Sequence, residues 1–316
     1  LTTSGPGKFA RLRPRKAAGD SRRTWRERRE LAIQFLFWAA AFSSILITIG
    51  IVYFLFSESI PFFRSVSLRD FVTSLEWAPR DPERPQFGIL TLVSATLTTT
   101  GVALLVALPL GTIVALYLSE FAPHAVREGL KPTLELLSAV PTVVYGYFAL
   151  QFISPLLKVF LPELPSINML SAGLVMGIMI IPYVSSLSED AMRSVPMLLR
   201  EGSYALGANR LITAVQVVLP AAISGIAAAY ILGISRAIGE TMIVAVAAGN
   251  QPNFTFNPLE AAQTITAYIA QASKGDTSHE GIAYQARFVA GLMLFLMTLA
   301  FNLAGYWLRR RYQKTQ

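Results

Sequence analysis

The chain has 316 residues, 53% of them hydrophobic and 15% charged, with a formal net charge of +8. Soluble globular domains carry about 25% charged residues, so this composition and a mean hydropathy of +0.49 point to an integral membrane protein. Cysteine is absent and the only histidines are His124 and His279, which excludes disulfides and thiolate metal sites and leaves no ligand-spaced cluster for a metal enzyme.

Residues 1–30 combine Gly, Pro, Ser and Arg without apolar periodicity and read as a basic, disordered cytoplasmic tail. Six apolar runs follow, at about 31–56, 88–118, 134–157, 169–187, 217–248 and 287–308. Each approaches or exceeds the roughly 20 residues that a helix needs to cross about 30 Å of hydrocarbon. Strand-like alternation is absent, so the expected fold class is all-α with six transmembrane helices rather than a barrel. The first run is too long for a signal-peptide core and no small-residue cleavage site follows it, so it reads as a retained helix. Basic residues from Lys8 to Arg29 precede that run, and Arg309, Arg310, Arg311 and Lys314 follow the last one. This bias predicts that both termini are cytoplasmic. Beside a membrane helix, the basic tail reads as a topology signal in contact with the lipid bilayer, not as a nucleic-acid site.

The segment 57–87 carries Phe62, Phe63, Phe71 and Trp77, which read as an interfacial helix resting on the outer bilayer surface, or else as a partner-binding surface. In 250–288 the helical spacing of Leu259, Ile265, Ile269 and Ala272 predicts a short amphipathic helix. Gly173 with Gly177, and Gly225, Ala229 and Gly233, are small residues at four-residue spacing and read as helix-packing faces.

Residues 188–216 fall on the cytoplasmic side and are longer than a simple connector. There Glu201 is followed at fixed distances by Ala205, Gly207, Val217, Leu219 and Pro220. The pattern resembles that of the permease subunits of bacterial binding-protein-dependent ABC importers: Glu-Ala-Ala, three residues, Gly, nine residues, Ile, any residue, Leu-Pro. The chain departs from it at Gly202 and Ser203, where alanines are preferred, and at Val217 for Ile. In physical terms the stretch predicts a helix from about Ser194 to Leu206, stopped by Gly207 at a positive φ. The resemblance implies that Glu201, Gly202, Ser203, Ala205, Gly207, Leu219 and Pro220 couple the chain to an ATPase. The chain has no G-x-x-x-x-G-K-[ST] loop, so ATP and Mg are expected on a partner ATPase and no cofactor on this chain.

"RAIGET", residues 236–241, places Arg236 and Glu240 inside the fifth apolar run. An ionised side chain at a helix centre costs about 2.5–3.5 kcal/mol on insertion scales. On a continuous helix the two residues stand one turn apart on one face. They then form either a structural ion pair or a switchable pair in a translocation pathway, with the guanidinium fork offered to a tetrahedral oxyanion.

Together with "SLRDFVTSLEWAPRDPERPQFGIL", "PLGTIVALYLSEFAP" and "LELLSAVPTVVYGYFAL", this motif resembles the phosphate ABC importer permeases of the PstC type, over about residues 30–312. The resemblance implies a type I (MetI-like) permease fold, with a first helix at 31–56, an external loop at 57–87 and a core permease domain at 88–312. It implies that Arg236, Glu240 and Thr241 serve substrate translocation, and that the chain is not itself an enzyme. The partners it implies are a second permease of the PstA type, an ATPase homodimer of the PstB type and an external phosphate-binding protein of the PstS type. Another oxyanion, sulfate or molybdate, and an ATP-independent secondary transporter remain the alternative readings.

Overall fold

A computed structural model describes residues 20–81, 83–274 and 281–313. The chain divides into two units, residues 1–54 and 55–316. Helix α1 (Asp20–Ser65) is interrupted by no proline before Pro61. It begins within the segment read as a disordered tail; residues 1–19 of that tail lie outside the described residues. In the first unit its apolar side chains, among them Phe35, Trp38 and Ile47, are exposed, as lipid-facing residues of a spanning helix would be.

The second unit opens with α2 (Leu68–Thr73), whose N-terminus is capped by the Ser67 hydroxyl accepting the Asp70 N–H. A two-stranded antiparallel ribbon follows, β1 (Trp77–Ala78) with β2 (Gln86–Phe87), in which Trp77 faces Phe87. Phe62, Phe71 and Trp77 are 0%, 5% and 2% exposed, which corrects the reading of these residues as a bilayer-resting surface. Phe62 and Trp77 pack edge-on against Phe87, Trp77 also against Tyr268, and Phe71 against Phe62 and Phe63, in a core shared with the later helices of the same unit.

Among the described residues five helices are long and apolar enough to cross a membrane, and a bent pair makes six if it counts as one span. α3 (Leu90–Leu116) ends in a π-helical turn, Tyr117–Phe121. α4 (His124–Ala139) carries Arg127, Glu128, Lys131 and Glu135 and buries none of its residues. α5 (Thr142–Phe148), a second π turn (Ala149–Ile153) and α6 (Ser154–Phe160) then form the third span. The expected span at 134–157 is therefore split: Pro141 holds Val140 in an extended conformation, ψ 131°, which ends α4.

α7 (Met169–Arg193) is the axis of the core. It starts at Asn168, whose side chain accepts the Ser171 N–H, and it packs most extensively on α3. A Cβ at Gly173 would lie 2.7 Å from Val102, and one at Gly177 would lie 2.8 Å from the Ala103 carbonyl. The small residues thus set how closely the two helices approach. α8 (Met197–Ala205), α9 (Arg210–Thr213), a third π turn (Ala214–Val218) and α10 (Leu219–Ala221) lead into α11 (Ile223–Ile238) across a 70° bend. α12 (Met242–Ala247), α13 (Ile265–Lys274) and α14 (Ile282–Gln313) complete the chain. The continuous span expected at 217–248 is replaced by α10, α11 and α12. The predicted amphipathic helix is α13, with Ile265 and Ala272 buried and Leu259 before its start.

Candidate functional site

α11 ends at Ile238 and α12 starts at Met242, so Gly239, Glu240 and Thr241 form a break between two apolar helices. In a membrane segment such a break must satisfy its own backbone groups. Glu240 does so twice. One of its carboxylate oxygens accepts the Met242 N–H at 2.9 Å and the Ile243 N–H at 3.2 Å, filling the orphan donors of α12. Its carbonyl accepts the hydroxyl of Thr266, on α13, at 2.6 Å. The Thr241 hydroxyl donates to the Gly239 carbonyl at 3.3 Å, closing the turn locally.

This geometry corrects the expected ion pair. Residues at i and i+4 meet only on an uninterrupted helix, and the helix stops between Arg236 and Glu240. No Arg236–Glu240 ion pair occurs among the described residues. Glu240 is buried and turned to α12, while the Arg236 guanidinium lies over the Tyr183 ring of α7, 4.2 Å from its centroid. The Arg236 Nε is buried with no hydrogen-bond partner. A cation on an aromatic face is held without using its in-plane N–H groups, so the ring positions Arg236 with no carboxylate partner among the described residues.

The residues of the Glu201–Pro220 motif fall into three places. α8 runs Met197–Ala205, slightly shorter than expected, and leaves Glu201, Gly202 and Ala205 exposed. Leu198 and Leu206 are 78% and 90% exposed beside them. Gly207 takes φ +84°, and its N–H donates to the Tyr204 carbonyl at 2.9 Å while that of Ala208 donates to Ser203 at 3.1 Å. This is a left-handed helix stop of the kind glycine favours. The Ser203 hydroxyl meets that of Thr213 at 2.9 Å, tying α8 to α9. Leu219 and Pro220 lie at the bend: Leu219 packs beside Met192, Val218 and Ile226. Pro220 offers no N–H to the preceding π turn.

Sequence reasoning missed the residues that hold these pieces. Arg200 on α8 is paired with Glu120 in the π turn after α3. On the last turns of α7, the buried Glu189 receives Arg127 Nε at 2.6 Å and has Lys131 Nζ at 3.5 Å, while Lys131 also meets Asp190 at 3.0 Å. Partial burial works to lower the Lys131 pKa, but the Asp190 hydrogen bond and the Glu189 charge outweigh it and hold the ammonium above its ordinary range. A carboxylate at the end of an apolar run, as in "LYLSEF" and "SSLSED", was the available signal. Tyr183 had none, because its partner depends on how α7 meets α11.

Residues 107–315 match the family described as binding-protein-dependent transport system inner membrane component. The chain is 34% identical over 293 residues to the probable ABC transporter permease protein YqgH of Bacillus subtilis, covering 92% of this chain and 94% of that protein. It is 32% identical over 241 residues to the phosphate transport system permease protein PstC of Haemophilus influenzae, covering 69% and 74%. Its fold is shared with a chain of the bacterial alginate ABC transporter in complex with an alginate pentasaccharide-bound periplasmic protein. There the TM-score is 0.61 at 18% identity, over 90% of this chain and 96% of that one. The six-span arrangement is thus the MetI-like permease fold, and the chain belongs to the family of binding-protein-dependent transport system inner membrane components, as a permease subunit of an ABC importer.

Proposed function

We propose that this permease carries inorganic phosphate across the cytoplasmic membrane in an ATP-driven importer, with both of its termini in the cytoplasm. The observation that carries the reading is the Arg236 guanidinium, held on the Tyr183 ring with its buried Nε unpartnered. A guanidinium fork matches the oxygens of a tetrahedral oxyanion, and similarity to PstC permeases supports phosphate as that anion. Glu240 stabilises the break that follows Arg236, and its charge bounds the pathway beside the cation. Thr241 completes the same turn.

The importer would contain a second, PstA-type permease, a PstB-type ATPase homodimer that binds ATP and Mg, and a PstS-type external phosphate-binding protein. The exposed face of α8, with Glu201, Gly202, Ala205, Leu198 and Leu206, suits an ATPase cleft. Gly207, Ser203 and the Leu219–Pro220 bend would pass its displacement to α9 and α11.

The test is uptake of radiolabelled phosphate into proteoliposomes containing the complex, with and without ATP. Arg236→Gln should abolish ATP-dependent uptake while assembly persists; normal uptake by that variant sinks the proposal. Guanidinium chemistry does not separate tetrahedral anions, and YqgH is named only as a probable ABC permease. Competition by sulfate and molybdate therefore decides the substrate.

A further inference from the structure

A cavity of about 420 Å³ opens between α8 and the ends of α3 and α7, lined by Arg127, Arg193, Arg200, Arg210, His124 and Glu120 among others. Its volume lies within the roughly 300–1,000 Å³ of small-molecule sites. Four guanidiniums face it against one carboxylate, and Glu120 is already held by Arg200 and by the Ser119 hydroxyl.

The arginines differ in how far they are occupied. Arg200 is committed to Glu120 and to two carbonyls. Arg127 donates through Nε to Glu189. Arg193 comes no closer than 3.9 Å to Glu189. Arg210 has no carboxylate partner among the described residues and rests 5.4 Å from the Phe121 ring centroid. Each guanidinium has five N–H donors and accepts nothing, so Arg193 and Arg210 bring unfilled donors to one cavity from two different elements.

The cavity and the exposed motif face occupy different sides of α8. Met197, Arg200 and Tyr204 line the cavity and recur at i, i+3 and i+7, one helical stripe. Leu198, Gly202 and Ala205 lie on the other side and Glu201 at the edge of the stripe, and none of the four lines the cavity. A ligand here sits behind the coupling helix and would not compete with a protein docked on its exposed face.

We propose that this cavity binds a phosphate-type oxyanion, with Arg193 and Arg210 as its principal donors. The anion bridges the coupling helix to the ends of two spans and to α9. Free inorganic phosphate and the phosphoryl group of an anionic lipid present the same chemistry. The inference is independent of what the pathway carries.

The test uses the full chain assembled with its partner subunits in phosphatidylcholine nanodiscs, with and without phosphatidylglycerol. Binding of radiolabelled inorganic phosphate is measured at equilibrium, and retained phosphatidylglycerol is counted by native mass spectrometry. The double variant Arg193→Gln/Arg210→Gln should weaken one of the two by about tenfold per guanidinium. Arg236→Gln should leave that component unchanged, and Arg210→Lys should restore part of it. Loss of phosphate binding identifies the free anion; loss of lipid retention identifies the headgroup. Absence of both in the wild type, or insensitivity of both to the double variant, overturns the proposal.

Discussion

Arg200 and Glu120 form a buried ion pair that fastens α8 to the end of the second span: Nη2 lies 2.9 Å and Nε 3.3 Å from the two carboxylate oxygens. The same guanidinium donates to the carbonyls of Val195 and Met192 at 2.6 and 2.9 Å. One side chain therefore ties together α8, the turn after α3 and the end of α7.

Arg200→Gln leaves Glu120 buried and unpaired, a loss of about 3–5 kcal/mol for pairs of this kind. We expect a lower thermal midpoint for the complex and an uptake-to-ATP ratio reduced by about tenfold, with ATP hydrolysis persisting. Arg200→Lys keeps the charge but not the fork and should fall between. An unchanged ratio in the Gln variant would show that the pair only stabilises.

Tyr183 is expected to matter through its ring and not its hydroxyl. Tyr183→Phe should leave phosphate uptake within about twofold of wild type, whereas Tyr183→Leu removes a cation–π contact worth about 1–2 kcal/mol. Uptake by the Leu variant should drop by about tenfold; equal rates for both variants would contradict the placement of Arg236.

Glu240 separates charge from capping. Glu240→Ala removes the acceptor of two N–H groups and should destabilise by about 1 kcal/mol. Glu240→Gln keeps an acceptor oxygen, so its unfolding midpoint should match wild type. If the carboxylate charge bounds the pathway, Gln nevertheless lowers uptake; parallel loss of stability and uptake in both variants would assign Glu240 to structure alone.

The glycines divide in the same way. Gly177→Val drives a branched side chain into Ala103 and Val106, where a Cβ alone meets atoms at 2.8 and 2.9 Å. Overpacking of this sort costs about 1–3 kcal/mol, and protein levels in the membrane should fall. A Cβ at Gly202 would meet nothing within 4 Å, and Gly202→Ala should be tolerated with a small gain in helix stability. Comparable membrane levels of the two variants would contradict the α3–α7 packing.

The spans were legible because hydrocarbon demands long apolar runs, and Gly207 was legible because a helix stop at positive φ favours glycine. The break at Gly239–Thr241 was not. Every residue from Ile238 to Met242 tolerates a helix, and what interrupts it is the Glu240 carboxylate capping α12 with the Thr266 hydroxyl from α13. Likewise Phe62, Phe71 and Trp77 have the composition of an interfacial girdle, and only the packing of α13 and α14 over them makes them core. Arg236 and Glu240 were legible as charges inside an apolar run, but placing them one turn apart on one face rested on helical spacing that the break cancels.

The π turns at Tyr117–Phe121 and Ala214–Val218 each insert one residue into a helix. A π turn is an α-helical turn with one residue too many, so the chain before and after it shares an axis but not an azimuth. Removing Leu118 would leave a helix of nearly the same length and rotate Glu120 by about 100°, away from Arg200. The thickness each helix spans and the direction its last side chains face are thus set independently, the first by the apolar run and the second by a single inserted residue.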